Sequence, residues 1–117
     1  MTPTQRTLAK LKALEYRAGI VERFIAPRKI RIDLFNIIDI VAIKPGEILG
    51  VQSTGSDFSG HWNKLTIEKA QESLDWIRAG GKLELWGWRK LKAKRGGKRM
   101  IWQPRIERIT IFDLEGV

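Results

Sequence analysis

The chain has 117 residues, of which 43% are hydrophobic and 30% charged, and this predicts one globular domain over residues 1–117 rather than a disordered chain. It has no cysteine and one histidine, which excludes disulfides and thiolate zinc sites, and no apolar run approaches the roughly 20 residues that span a bilayer. The polar N-terminus has no apolar signal-peptide core, so we expect a cytoplasmic protein without membrane contact. The net charge of +9 favours a polyanionic partner.

Hydrophobic spacing in the first half of the chain predicts one helix followed by three strands. Apolar residues at helical spacing indicate a helix over Thr4–Ala18 that ends at Gly19. Strands are predicted at Ile20–Ile25, within Ile30–Ile43 and at Ile48–Thr54. The last of these is rich in apolar residues, as expected of a strand in the centre of a sheet.

The second half predicts a long helix and two more strand regions. A helix is expected over His61–Ala79, followed by a strand at Leu83–Trp88. A hairpin turn at Gly96-Gly97 leads into Met100–Trp102, and Ile106–Phe112 reads as the last strand. The resulting order, α-β-β-β-α-β-β, predicts an α/β domain with a mixed sheet.

Positive charge is concentrated in this hairpin. Residues 89–99 hold seven cations and no acid, and the rest of the chain, with 15 basic and 13 acidic residues, is nearly balanced. Such a ribbon suits a DNA groove or backbone, and the alternative is a flexible solvated hairpin. The expected DNA-contacting residues are Arg89, Lys90, Lys92, Lys94, Arg95, Lys98 and Arg99.

Three tryptophans, Trp86, Trp88 and Trp102, bracket the base of the hairpin. Large aromatic side chains mostly pack in cores, so a core role is expected for at least two of them. The third is a candidate for stacking on a nucleic-acid base.

Two carboxylates and an amide suggest a metal site. Asp39 lies within the apolar run Ile37–Ile43, where a buried carboxylate must be paired or hold a metal, and the alternative is an ion pair with a nearby Arg. Glu15 borders the buried face of the first predicted helix, and a solvated Glu is its alternative. Gln52 and Thr54 share one face of the third strand. Oxygen ligands of this kind favour Mg²⁺ or Mn²⁺.

This arrangement resembles the PD-(D/E)XK nuclease superfamily, particularly its archaeal Holliday-junction-resolvase branch and its phage relatives. Glu15 matches the acid on the family's first helix, and Asp39, 24 residues on, matches the strand Asp. Gln52-Ser53-Thr54, 13 residues further, falls on the Glu-x-Lys motif, and Arg31 matches a basic residue that approaches DNA in the resolvase branch. The resemblance covers about two-thirds of the chain.

The resemblance implies the superfamily's fold and chemistry. The fold would be a mixed central sheet flanked by two helices, here with the basic β-hairpin. The activity would be Mg²⁺- or Mn²⁺-dependent hydrolysis of DNA phosphodiester bonds, with Glu15, Asp39 and Gln52 as the metal ligands. A homodimer is also implied, as is the host cytoplasm if the protein is phage-encoded.

The chain departs from the motif at its lysine. Gln52 replaces the motif acid and its amide oxygen still suits a hard cation, but Thr54 stands where the lysine should be. Lys64 and His61, at the start of the second predicted helix, are the two candidate replacements, and surface roles are the alternatives for both. Asp33 could support the site from its rim.

Three functions therefore stay open at this point. A metal-dependent DNA endonuclease, with branched or junction DNA as one substrate class, agrees with the spacing of the acids. A catalytically inactive DNA-binding or structural module agrees with Thr54. An RNA-associated basic protein agrees with the net charge alone.

Overall fold

A computed structural model describes all 117 residues. The helices are α1 (Pro3–Ala13), α2 (Phe58–Asn63) and α3 (Ala70–Arg78), with a π-helical segment at Lys64–Glu68 between the last two. The strands are β1 (Arg17–Ile20), β2 (Arg23–Ile25), β3 (Ile30–Ile32), β4 (Ile40–Lys44), β5 (Glu47–Thr54), β6 (Lys82–Lys92) and β7 (Met100–Ile109). Short 3₁₀ turns occur at Ala26–Arg28 and Ile111–Asp113.

Five of the strands form one mixed sheet in the order β1-β4-β5-β6-β7. The β5–β6 pair is parallel and the other pairs are antiparallel, so the crossover between β5 and β6 carries α2 and α3. The predicted α/β class with a mixed sheet is therefore confirmed. β2 and β3 form a separate two-stranded hairpin. None of the helices has the length and apolar character that a membrane crossing requires.

The core has two halves, one on each face of the sheet. Alternate residues of a strand point to opposite faces, so the central strand β6 contributes Trp86 and Trp88 to one half and Leu83 and Leu85 to the other. The half on the α1 face is built from Leu11, Ile40, Ala42, Leu49, Val51, Trp86 and Trp88. The half on the face of α2 and α3 is built from Ile37, Ile38, Leu65, Leu83, Leu85 and Ile109.

The first helix is shorter than predicted. It ends at Ala13 rather than Ala18, because Glu15 adopts a left-handed conformation at φ 68° and the chain then enters β1. β1 pairs with β4, from Arg17 opposite Ile43 to Ile20 opposite Ile40. Sheet pairing therefore overrides the helical spacing of Ala18, and Glu15 does not lie on a helix as the resemblance implied.

The other boundaries shift where turns interrupt the apolar runs. Ile20–Ile25 is divided between β1 and β2, and Ile30–Ile43 between β3 and β4. The predicted second helix is the α2, π and α3 series, which begins at Phe58, where the Asp57 side chain caps the Gly60 N–H. The two predicted C-terminal strand pieces form the single strand β7, which pairs with β6 from Leu83 to Lys92.

The tryptophans divide as predicted between core and surface. Trp86 and Trp88 are 2% and 7% exposed, and both contribute to the core on the α1 face. Trp102, on the edge strand β7, is 42% exposed. It is therefore the one of the three with a ring accessible for stacking.

Candidate functional site

Three carboxylates from separate parts of the chain converge on one site. Glu22, Asp33 and Asp39, hereafter the acidic cluster, each offer an oxygen, and these three oxygens lie within 4.8 Å of one another. Asp39 is 5% exposed, and the other two residues are half-buried. Three acids at such separation repel one another, so the arrangement needs compensating donors or a cation.

Backbone pairing places Asp39 and Glu22 side by side. Asp39 lies directly before β4, not inside a strand as predicted, and its N–H donates to the Val51 carbonyl at 2.9 Å. The Asp39 carbonyl accepts from the N–H groups of Val21 and Glu22, at 2.8 and 3.3 Å. The β1–β4 ladder thus continues as far as Glu22 and carries its side chain to the cluster.

Asp33 enters the cluster from a tight turn after β3. Phe35 and Asn36 both have positive φ, at 54° and 62°, and the Asn36 N–H donates to the Asp33 carbonyl at 3.0 Å. The Leu34 N–H then bonds to the Ile38 carbonyl at 2.9 Å, which closes the turn. Asp33 is therefore a central member of the site rather than a support at its rim.

The side chain of Gln52 connects the two aspartates. Its amide nitrogen lies 2.9 Å from Asp39 Oδ1, 3.0 Å from Asp33 Oδ2 and 3.2 Å from the Ile37 carbonyl oxygen. The two hydrogens of the amide are thus shared among three acceptors. Gln52 is 2% exposed, so these contacts are shielded from water. The second carboxylate oxygen of Asp39 accepts from the Ser53 N–H at 2.7 Å.

Lys64 reaches the site from the helical layer that packs on the sheet. Its ammonium donates to the Gln52 amide oxygen at 3.1 Å and to Asp33 Oδ2 at 3.3 Å. Lys64 is the first residue of the π-helical segment, and such segments often occur at functional sites because they redirect side chains out of the regular helical order. The position held by lysine in the PD-(D/E)XK motif is taken by Thr54, which is buried at 6% exposure.

The two aspartates have opposite shifts in pKa. Burial raises the pKa of Asp39 to about 8, and a hydrogen bond with Asp33 and the negative charge of that carboxylate add to the shift. Burial also tends to raise the pKa of Asp33, but hydrogen bonds from Asp39 and Gln52 and the Lys64 charge outweigh it, so the pKa of Asp33 lies below its ordinary value. Near neutral pH the two carboxyl groups therefore hold one proton between them.

This proton makes stability depend on pH. Between about pH 4 and pH 8 the folded chain keeps the Asp39 proton and the unfolded chain loses it, so the free energy of unfolding should fall as pH rises, by roughly 1 kcal/mol per pH unit. Asp39→Asn keeps a neutral donor towards Asp33 and should flatten this slope. Urea denaturation between about pH 5 and pH 7.5 measures it. An equally steep slope in the variant would contradict the assignment.

Two of the residues that the sequence suggested lie apart from the acidic cluster. Glu15 is exposed and lines an open cavity with Lys12, Arg17 and Lys44 beside the β4–β5 turn, so it is not one of the grouped acids. The Nδ1 atom of His61 lies 2.8 Å from the Asp57 carbonyl oxygen, and His61 makes no hydrogen bond to the cluster. The structure thus brings Asp39, Gln52 and Lys64 together, without Glu15 or His61.

Arg31, on β3, lies next to the cluster. Its guanidinium donates to Glu22 at 2.9 Å, and its side chain is 66% exposed. The pairing partly neutralises Glu22 and leaves most of the arginine open to solvent. Arg31 therefore presents a largely exposed guanidinium at the edge of the acidic cluster.

Glu22 is the functional candidate that sequence reasoning missed. It lies two residues beyond the end of β1, between the apolar residues Val21 and Phe24. An acid within an apolar strand was the signal that singled out Asp39, and Glu22 carries the same signal in a weaker form. What linked the two was the antiparallel pairing of β1 with β4, which no local pattern shows.

The basic hairpin extends from the end of the sheet at which the cluster lies. Gln52 is opposite Leu85 in β6, and β6 continues seven residues to Lys92, which corresponds to about 23 Å at 3.3 Å per residue. All seven cations of residues 89–99 are exposed, and none forms a salt bridge. The hairpin therefore offers an unneutralised cationic arm that begins at the same end of the sheet as the acidic cluster and reaches away from it.

Comparisons with protein-family models, with curated proteins and with solved structures give no match to this chain. Functional inference thus depends on the geometry of the site.

Proposed function

We propose that the protein is a metal-dependent DNA endonuclease of the PD-(D/E)XK type. The observation that carries the proposal is the position of Lys64, whose ammonium contacts both Asp33 and the Gln52 amide oxygen beside Asp39. The acid before one strand and the lysine beside it supply two groups of the PD-(D/E)XK motif, and Gln52 stands on the next strand in place of the motif's second acid. The lysine comes from the helical layer instead of from the strand.

The residues present fit a hard divalent cation. Three carboxylates in one half-buried site are the donor set that Mg²⁺ or Mn²⁺ takes, and a cation there would relieve the repulsion that adds to the effect of burial on the pKa of Asp39. Glu22, Asp33 and Asp39 would hold the ion. Glu22 and Asp33 thus stand in place of Glu15 and Gln52 of the expected ligand set, since the Gln52 amide nitrogen faces the aspartates and its oxygen accepts from Lys64. When bound, such an ion activates water and offsets charge on the phosphate.

The chain's own groups then have separate tasks. Asp39 must lose its proton before it can bind a cation, so metal affinity should rise with pH up to about 8. Lys64 is placed to donate to a phosphate oxygen or to the attacking water. Gln52 donates to the Asp33 and Asp39 carboxylates and so fixes their positions relative to each other. Arg31 and the basic hairpin hold the DNA backbone on either side.

Cleavage of linear, forked and four-way-junction DNA with Mg²⁺, Mn²⁺ or EDTA tests the proposal. We expect metal-dependent products from the parent and none in EDTA. Glu22→Gln and Asp39→Asn should abolish cleavage and also the rise in thermal stability that divalent metal produces by binding the folded state. Glu15→Gln is the matched control, since it removes an exposed carboxylate outside the cluster, and it should cleave like the parent.

A catalytically inactive DNA-binding module is the second candidate. It is favoured by Thr54 at the motif position, and by the fact that every buried side-chain polar atom already has a hydrogen-bond partner without a metal. If the parent binds DNA, and neither calorimetry nor cleavage detects any effect of divalent metal, this candidate replaces the endonuclease.

A further inference from the structure

A cleft lies beside the hairpin base, where β5 ends and β6 continues. The last β5–β6 pair is Thr54 opposite Gly87, and beyond it β6 pairs only with β7. The cleft there has a volume of about 370 Å³, and its lining includes Ser56, Phe58, Arg89, Trp102 and Arg105. It opens at the end of the sheet where the acidic cluster lies, since Arg89 is four residues beyond the partner of Gln52, or about 13 Å.

Three aromatic residues line this cleft, the buried Trp88 and the more accessible Phe58 and Trp102. Trp102 is 42% exposed and also lines a second cleft with Lys10, so its side chain is shared by the two clefts. The Arg6 guanidinium carbon lies 4.1 Å from the centroid of the Trp102 ring, and the contact holds the ring at the surface. An exposed tryptophan among cations is typical of surfaces on which nucleobases stack.

The cleft also carries positive charge. Arg89 is exposed and has no salt-bridge partner. The Arg105 guanidinium carbon lies 3.9 Å from the centroid of the Phe58 ring, and the exposed Glu107, at 3.8 Å, is its one acidic neighbour. Trp102 lies on the α1 face of strands β6 and β7, and Arg89 and Arg105 lie on the α2 face, so the cleft reaches around the free edge of β6 beyond Gly87. A ring on one side of that edge and guanidinium groups on the other complement a base joined to a phosphate.

We infer that this cleft binds one unpaired nucleotide of a DNA strand, with the base against Trp102 and the phosphate against Arg89 and Arg105. Paired bases are excluded because both of their faces are covered by neighbours in the duplex. The identification of the nucleic acid as DNA rests on the proposed function. The inference narrows the substrate to DNA in which an unpaired segment adjoins a duplex arm held by the hairpin.

Fluorescence anisotropy in EDTA tests the inference without cleavage. The ligands are a labelled duplex, the same duplex with a short single-stranded flap, and the flap strand as RNA. The parent should bind the flapped DNA at least about tenfold more tightly than the duplex. Trp102→Ala should weaken flap binding by about 5–150-fold, the range for loss of one stacked base, with less than about a twofold effect on the duplex.

Matched variants separate stacking from a structural role. Trp102→Phe keeps a ring and should retain most of the preference. Arg6→Ala removes the nearer of the two cations against the Trp102 ring, the other being Lys90, but keeps the indole, so it should lower the preference less than Trp102→Ala does. Arg89→Ala should weaken flap binding. Arg78→Ala is its control and should not weaken it, because Arg78 is an exposed arginine at the end of α3, near the start of β6 and away from the cleft. Should Trp102→Ala unfold, Trp102→Phe and Arg89→Ala decide the outcome.

Several results would overturn the inference. One is equal affinity of the parent for the duplex and the flapped DNA. Another is an equal loss of affinity for both ligands in Trp102→Ala. A third is a higher affinity of the parent for the ligand with the RNA flap than for the one with the DNA flap. Metal-dependent cleavage by the parent in any of these cases would leave the proposed function standing. If the parent prefers the flapped DNA, the preference depends on Trp102, and no substrate is cleaved, nucleotide binding in the cleft would be supported and the endonuclease activity rejected.

Discussion

Lys64→Ala is expected to lower the rate of metal-dependent DNA cleavage by about 10²–10³-fold, the effect of removing one positioned donor from a reacting centre. Its ammonium contacts Gln52 and Asp33 at the acidic cluster, whereas the basic hairpin lies elsewhere, so DNA affinity should change little. A single-turnover assay with saturating enzyme separates the chemical step from binding. Lys69→Ala, which removes a lysine paired with Glu72 outside the cluster, is the matched control and should cleave like the parent.

Restoring the motif lysine provides the complementary test. Thr54 lies two residues after Gln52 on β5, so its side chain points to the same face of the sheet. Thr54→Lys should therefore recover part of the activity that Lys64→Ala loses, because both ammonium groups would serve one position. Unchanged cleavage by Lys64→Ala would show that Lys64 is not the replacement. A gain of cleavage by Thr54→Lys in an otherwise inactive parent would support the inactive module.

Removing four hairpin cations should have the largest effect on DNA binding. Replacing Lys92, Lys94, Lys98 and Arg99 by Ala should flatten the slope of log affinity against log salt by about three to four units if each contacts a phosphate. At about 0.1 M salt this corresponds to roughly a 10³-fold loss of affinity. Duplex binding measured across a salt series gives the slope directly.

The control for this variant removes equal charge elsewhere. Lys12, Arg17, Lys44 and Arg78 form no salt bridge, and they lie towards the end of the sheet that carries the β4–β5 turn, away from the hairpin. Their replacement by Ala lowers the net charge of +9 by the same four units. It should leave the slope nearly unchanged. Equal flattening in both variants would mean that binding follows net charge and that the hairpin is no specific interface.

The sequence by itself determined the features that local patterns encode. Alternating apolar residues and turn glycines predicted the α/β class, the mixed sheet and the basic hairpin, which the structure confirms. An aspartate next to an apolar strand had to be paired or ligated, and Asp39 is buried against Asp33 and Gln52. Lys64 was one of two candidates for the missing lysine because a helix after β5 packs back on the sheet.

Only the tertiary structure decided which acids meet. The spacing of Leu8, Leu11 and Ala18 is helical, but pairing of residues 17–20 with β4 ends the helix early, and Glu15 is left outside the cluster. The same pairing brings in Glu22, whose local sequence contains no hint of its partner. Likewise, a π-helical segment directs Lys64 into the site and leaves His61 bonded to Asp57. Residues distant in sequence meet through strand register and helix phase, and these depend on packing of the whole chain.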